Sequence, residues 1–135
     1  MADYFGHWLS MGKRLVTPPK IFLMNWFRED RDGQLLWPGF GDNVRVLKWI
    51  VDRIASRAPA RVTPIGNVPM DIGFDTNGLG LDANQFLALS SVDPKAWLTE
   101  LEQNDAFFRS FGDRLPAVLK REHDALRDRL CASIS

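Results

Sequence analysis

The chain has 135 residues, 45% of them hydrophobic, which suits one ordinary globular domain or a piece of a larger one. Lys and Arg together number 17, as do Asp and Glu, so the formal net charge is zero and no overall field directs the chain to nucleic acid or to an anionic membrane. One cysteine, Cys131, excludes an internal disulfide framework, and the absence of a membrane-spanning run or a signal-peptide pattern predicts a cytoplasmic location.

The first third of the chain shows one helical pattern followed by extended ones. A rough helical stripe of apolar residues runs through residues 2–12 and is broken by the prolines of residues 17–19. The continuous apolar run Lys20–Phe27 predicts a short buried strand. The charged segment Arg28–Gln34 contains Asp-Gly and predicts a turn, after which Leu35–Trp37 is a candidate return strand.

The strongest helical pattern follows a loop over Trp37–Asn43. Apolar residues recur there at the spacing of one helical face: Val44, Leu47, Ile50, Val51 and Ile54. Either Asp42 or Asn43 can cap the start of this helix.

The rest of the chain is predicted to be irregular and then helical. Prolines and glycines recur through residues 59–81, which predicts irregular structure. A second helix is predicted over Ala83–Leu89, a third from its N-cap Asp93 to about Phe111, and a fourth after Pro116. Short strands early and several helices late indicate an α/β or mixed α+β fold.

The most specific stretch is Asn25–Ile54, which runs NWFREDRDGQLLWPGFGDNVRVLKWIVDRI. It resembles the GTP-dependent phosphoenolpyruvate carboxykinases, which have Asn-Trp-Phe-Arg, a charged turn with glycine, then Trp-Pro-Gly-Phe-Gly-Glu-Asn and a helix. The segments His7–Gly12, Pro19–Phe22 and Thr63–Pro69 also match, so the similarity covers essentially the whole chain. The resemblance implies that residues 1–135 are a partial C-terminal, guanine-nucleotide-binding domain of that family.

The same resemblance implies a function. The family are lyases (decarboxylases) of gluconeogenesis that convert oxaloacetate and GTP to phosphoenolpyruvate, carbon dioxide and GDP, with divalent metals such as manganese or magnesium. Carried over to this sequence, Phe27 and Phe40 supply aromatic faces for the guanine base. The turn of Phe40, Gly41, Asp42 and Asn43 reads the base, and Asn43 contacts it.

These residue types suit the recognition of a purine. Aromatic stacking on a base contributes about 1–3 kcal/mol where similar contacts have been measured, and an Asn amide offers both a donor and an acceptor to the polar edge. Two positions depart from the family pattern: Leu35 stands where a third Phe is common, and Asp42 replaces Glu. Both departures predict weaker binding than is usual in the family.

The resemblance also implies what this chain leaves out. The family's phosphate loop, metal ligands, substrate arginines and mobile lid lie upstream of the matching region, so we expect the chain alone to be catalytically incomplete, with no catalytic or metal-binding residue of its own. One alternative is a stand-alone guanine-nucleotide-binding module or pseudoenzyme. Another is a segment that folds only with an N-terminal partner chain.

Several of the same residues also have plainer interpretations. We expect Trp26 and Trp37 to pack in the core, and an N-cap role for Asn43 would compete with base recognition. His123 lies between two acidic residues on a charged helix, and we expect it to be a solvated surface group. A solvated turn is likewise the expectation for Arg28, in preference to a phosphate contact.

Overall fold

A computed structural model of the chain describes residues 1–134. These residues form five α-helices and one two-stranded antiparallel sheet, which confirms the mixed α and β class. In chain order the elements are α1 (Ala2–Arg14), α2 (Asn43–Ile54), β1 (Ala60–Thr63), β2 (Gly66–Pro69), α3 (Ala83–Ser90), α4 (Pro94–Arg109) and α5 (Ala117–Ala132). No helix of the described residues is long and apolar enough to cross a membrane.

The chain divides into two compact units. One unit combines Met1–Pro19 with Val92–Ser135, and the other is the continuous segment Lys20–Ser91. The first unit therefore contains α1, α4 and α5, and the second contains α2, α3 and the hairpin of β1 and β2.

Local capping signals predicted two helices well. Asp93 caps α4, accepting a hydrogen bond from the backbone N–H of Lys95 at 2.9 Å, with Pro94 in the first turn. Asp82 begins α3 in a capping box, in which Asp82 and Gln85 each accept a hydrogen bond from the other's backbone N–H. Helix α4 ends at Arg109, two residues before the predicted Phe111.

The first unit is built around the contact between α4 and α5. Leu101 and Leu130 are fully buried there. His123 is also buried, which makes the predicted surface position wrong: its Nε2 lies 3.1 Å from the carbonyl oxygen of Leu101, and its ring lies edge-on to Phe108. Because a carbonyl only accepts, Nε2 is the nitrogen that donates. The ring of Phe5 on α1 meets that of Phe111 at 5.8 Å.

The core of the second unit is aromatic. Its buried members are Trp37, Val46, Trp49, Ala58, Phe74 and Leu79. Phe22 and Trp26 pack against them, with the Trp26 and Trp37 rings 5.6 Å apart and Phe22 edge-on to Trp49 at 6.1 Å. Edge-to-face and tilted ring pairs at these separations are favourable. The structure thus confirms that Trp26 and Trp37 belong to the core.

A β-hairpin lies inside the region predicted to be irregular. Ala60 pairs with Pro69 and Thr63 with Gly66, so only residues 64–65 form the connection. Gly66 has φ of 125°, which side chains disfavour, and Thr63 closes the turn by donating its hydroxyl to the Gly66 carbonyl oxygen at 2.6 Å. The prolines that suggested irregular structure sit at the turn and at the end of a strand, where they cost few ladder bonds.

Both strands predicted before α2 are wrong. Lys20–Phe27 forms neither helix nor strand, and Leu35–Trp37 contributes only an isolated bridge between Leu35 and Glu29. A strand needs a neighbour for its backbone N–H and C=O groups, and no strand of the described residues pairs with residues 20–27. The turn over Arg28–Gln34 is confirmed, with Asp30 accepting backbone hydrogen bonds from Asp32 and Gln34.

Helix α2 forms where predicted, but the side that packs on the core is not the predicted apolar stripe. Its buried residues are Val46 and Trp49, and Ile50 packs beside them. Of the stripe that defined the helix in the sequence, four residues stay 57–63% exposed: Val44, Leu47, Val51 and Ile54. The apolar pattern predicted the helix correctly, whereas most of that pattern is not the face that packs on this core.

This orientation of α2 can be tested with one substitution made at two positions. Val46→Ala should lower the free energy of unfolding by about 2 kcal/mol, because it removes buried methyl groups and leaves a cavity. Val51→Ala makes the same chemical change on the exposed side and should stay within about 0.5 kcal/mol of wild type. Urea unfolding of both variants measures the difference, and a larger loss for Val51→Ala than for Val46→Ala would mean that the helix packs through the predicted stripe.

Candidate functional site

The loop before α2 presents one aromatic ring to solvent. Gly39 has φ of 147° and turns the chain, and Phe40–Asp42 then form one short 3-10 turn that runs directly into α2. The backbone N–H of Asp42 closes this turn on the carbonyl oxygen of Gly39 at 3.2 Å. The Phe40 side chain is 89% exposed. A large apolar ring is thereby held in water on an ordered backbone.

The Asn43 amide has a defined orientation. The indole N–H of Trp37 lies 2.8 Å from Asn43 Oδ1 and 3.0 Å from the carbonyl oxygen of Gly39. An indole N–H can only donate, so the amide oxygen must face Trp37 and the amide NH₂ must face away. Within residues 1–134 that NH₂ group makes no hydrogen bond to protein, and the side chain is half-buried.

The expected side-chain cap of α2 is wrong for both candidates. Asp42 occupies the N-cap position, but its Oδ1 accepts from Arg45 Nε at 3.1 Å instead of from the helix backbone. The oxygen of Asn43 is taken by Trp37. Arg45 also donates to the carbonyl oxygen of Asp75 at 3.2 Å and lies 3.4 Å from its carboxylate. Arg45 therefore ties the turn to a neighbouring loop.

Phe27 is a second exposed ring, 76% accessible, on a segment fixed from both sides. Its own backbone N–H donates to Asn25 Oδ1 at 3.0 Å in an Asx turn. The next residue, Arg28, donates to the carbonyl oxygens of Leu89 and Ser91 at 3.2 and 2.8 Å. The expectation of a solvated Arg28 is wrong, because its guanidinium holds this segment against the end of α3.

The structure brings some of the predicted site residues together and leaves others apart. Phe40, Gly41, Asp42 and Asn43 are consecutive in one turn. Phe27 is exposed as well, but among the described residues no ring contact joins it to Phe40. The reasoning from sequence missed the hydrogen bond from Trp37 to Asn43, for which a six-residue separation in a loop gives no signal.

An open surface cleft of about 440 Å³ lies elsewhere on the second unit. It contains Asp52, whose carboxylate accepts from Lys48 and from Arg57, each at 2.8 Å. These hydrogen bonds, first from Lys48 and then from Arg57, hold the pKa of Asp52 below its usual value. An acid kept ionised between two cations is a poor proton donor, so the contacts of Asp52 in this cleft form an ion-pair network.

The potential metal-ligating side chains of the described residues form no metal-binding cluster. Nowhere in residues 1–134 do three or more His, Cys, Asp or Glu side chains gather in a way that could hold an ion. The resemblance places the family's manganese or magnesium ligands upstream of the matching region, and that expectation stays a prediction.

Comparison with known proteins gives one consistent result. A family model for the phosphoenolpyruvate carboxykinase C-terminal P-loop domain matches residues 1–129. The chain is similar to proteins named phosphoenolpyruvate carboxykinase (GTP): it is 45% identical over 132 residues to that of Anaeromyxobacter dehalogenans, and 44% identical over 131 residues to those of Paenarthrobacter aurescens and Renibacterium salmoninarum. These alignments cover 96–98% of this chain but only 22% of each relative, so the chain spans about a fifth of their length.

The ion pairs of Asp52 predict a dependence of stability on pH. Because the folded pKa is depressed, Asp52 contributes stability above its unfolded pKa of about 3.8, and this contribution is lost as the pH falls below that value. Asp52→Asn should therefore melt below wild type at pH 6, and the gap should close toward pH 3. Asp32→Asn, a carboxylate without an ion pair among the described residues, is the control and should show little gap at either pH. If the difference in melting temperature between wild type and Asp52→Asn is the same at pH 6 and pH 3, the ion pairs of Asp52 are not its cause.

Proposed function

Because this chain belongs to the family of the phosphoenolpyruvate carboxykinase C-terminal P-loop domain, we propose that it forms the guanine-binding surface of a GTP-dependent carboxykinase. This surface consists of Phe27, Phe40, Gly41, Asp42 and Asn43, and its ligand is the guanine of GTP or GDP. The observation that carries the proposal is the ordered turn that places the exposed Phe40 ring beside an Asn43 amide of defined orientation.

The exposed rings account for affinity. Aromatic side chains ordinarily bury most of their surface in a core, and the Trp side chains of this unit do so, whereas Phe27 and Phe40 do not. An exposed ring carried on an ordered turn offers a base a stacking face, with about 1–3 kcal/mol gained per stacked base. Gly41 has no side chain, so a base can approach the backbone of the turn closely.

The amide of Asn43 accounts for the choice of base. With its oxygen turned toward Trp37, Asn43 directs the N–H donors of its amide away from the core and toward a ligand. Guanine has an acceptor oxygen at position six and pairs with such a donor. Adenine has an amino group there, so its N–H donors would face the N–H donors of Asn43. A buried polar group would then lack a hydrogen-bond partner, which costs about 1–3 kcal/mol.

The chemistry of the family is assigned to the whole polypeptide and not to this region alone. We propose that the parent reaction is oxaloacetate plus GTP to phosphoenolpyruvate, carbon dioxide and GDP, in the cytoplasm and in gluconeogenesis. Residues 1–135, as a partial C-terminal domain, contribute recognition of the nucleotide. The sequence contains no phosphate-loop motif of the type GxxxxGK[ST], and residues 1–134 contain no group of three or more His, Cys, Asp or Glu side chains that could hold a metal. We therefore propose that this chain by itself binds without catalysing.

Stacking on Phe40 predicts a loss of binding without a loss of stability. GDP should raise the melting temperature of the chain by mass action, and ADP should raise it less. Because its ring is exposed, Phe40→Ala should leave the melting temperature without ligand nearly unchanged, yet weaken GDP binding about tenfold. Thermal melts with a GDP titration measure both effects. Val62→Ala removes an equally exposed apolar group on β1 and should bind GDP normally, and a Phe40→Ala chain with unchanged affinity would refute the stacking role.

The orientation of Asn43 predicts an effect on discrimination. Trp37→Phe keeps an aromatic ring in the core but removes the indole N–H, so the amide becomes free to turn over. The ratio of GDP to ADP affinity should fall about 2- to 10-fold, the value of one ordinary hydrogen bond. Trp26→Phe is the matched control, since it changes the neighbouring ring of the same core. If both variants keep the wild-type ratio in calorimetric titrations, Trp37 does not orient the amide.

A further inference from the structure

Helix α2 has an unusually wide apolar surface. Successive helical residues are separated by about 100°, so its apolar side chains span an arc of roughly 220°, interrupted only by Asn43 and Arg53. The polar remainder of the circumference holds Arg45, Lys48 and Asp52. A helix on the surface of a globular protein needs an apolar stripe of about 100°, and a wider one is typical of a helix covered on more than one side.

Only about half of this arc is covered by the described residues. Val46 and Trp49 are buried in the core of the second unit. The other half is the outer face of α2, which we define as Val44, Leu47, Val51 and Ile54, all more than half exposed. Monomeric proteins seldom leave a contiguous apolar patch in water unless it is an interaction site.

The segment Lys20–Phe27 also leaves apolar side chains uncovered. In Lys20–Phe27, Phe22 and Trp26 pack inward, whereas Ile21 and Leu23 are about 90% exposed. A continuous apolar run is typical of a strand covered on both faces, but in the described residues it has no neighbouring strand. Two separate segments, residues 20–27 and helix α2, thus each have an apolar side that no other layer of the described residues covers.

We propose that the outer face of α2 is the docking surface for the remainder of a carboxykinase polypeptide, supplied on the same chain or on a separate one. The relatives that match nearly all of this sequence are about five times as long, so about four fifths of their polypeptide lies outside the match. That remainder is the natural source of a second apolar layer. The proposal rests on family membership and not on guanine binding.

The charges of α2 argue against an anionic membrane as the occupant. Helices that lie on membranes carry free Lys and Arg beside their apolar face. Here Lys48 pairs with Asp52 at 2.8 Å, and Arg45 pairs with Asp42 and Asp75 at 3.1 and 3.4 Å. Arg53, which by helical position lies between Trp49 and Val46 on the buried side, donates to the carbonyl oxygen of Ala58 at 3.5 Å. The outer face is therefore aliphatic and suits another protein layer.

The test places one pair of substitutions in two settings. Leu47→Lys with Val51→Glu is made in the free chain and in a chimera, in which this chain replaces the matching region of the Anaeromyxobacter dehalogenans carboxykinase. In the free chain the face is in water, so the melting temperature and the helical circular dichroism should change little, by less than about 2 °C. In the chimera the charges would be buried, and the melting temperature should fall by about 5 °C or more.

A control pair of substitutions lies on the same outer face of α2. Leu47→Ile with Val51→Leu keeps the face apolar and should preserve the chimera's melting temperature. The proposal is overturned if the charged pair leaves the chimera as stable as the control pair, or if the unsubstituted chimera does not assemble into soluble protein. It is also overturned if sedimentation shows that the free chain dimerises through this face, which would make a second copy the occupant. No nucleotide is added, so a failed guanine site would not alter these results.

Discussion

The indole of Trp37 belongs both to the core of the second unit and to the candidate site. Its ring packs between Trp26 and Phe74, and its single N–H donates to Gly39 and Asn43. The turn from Gly39 to Asn43 is therefore fixed to the core by the Trp37 side chain, which comes just before it in sequence. The exposed Phe40 ring and the oriented Asn43 amide both depend on this attachment, since the turn itself has few other bonds to the rest of the unit.

The remaining attachments of the site are made by arginines. Arg45 joins the turn to the loop at Asp75, and Arg28 joins the Phe27 segment to the end of α3. Each guanidinium offers several donors in a fixed plane, so one side chain can hold two carbonyl groups or a carboxylate at once. The two arginines therefore act as cross-links between loops, which explains how irregular segments present side chains in defined places.

Features encoded locally could be predicted from the sequence, and those that depend on distant neighbours could not. Asp82 and Asp93 mark the starts of α3 and α4 because a cap acts over three residues. The order of residues in Asn25–Ile54 identified the family because it is long and specific. By contrast, burial of the Lys20–Phe27 run and of the outer face of α2 requires layers that the described residues do not contain. His123 was misplaced for a related reason: its charged sequence neighbours point to solvent, but its own position on α5 faces Leu101.

The division of the chain has a consequence for the order of synthesis. The second unit is one continuous segment, so it is synthesised after the first part of the first unit and before the rest of that unit. Helix α1 is made before the second unit, yet its ring contact is with Phe111, about a hundred residues later. At translation rates of about 5–20 residues per second, α1 stays without that contact for roughly 5–20 seconds. During this interval the side of α1 that holds Phe5 is open to chaperones that bind nascent chains.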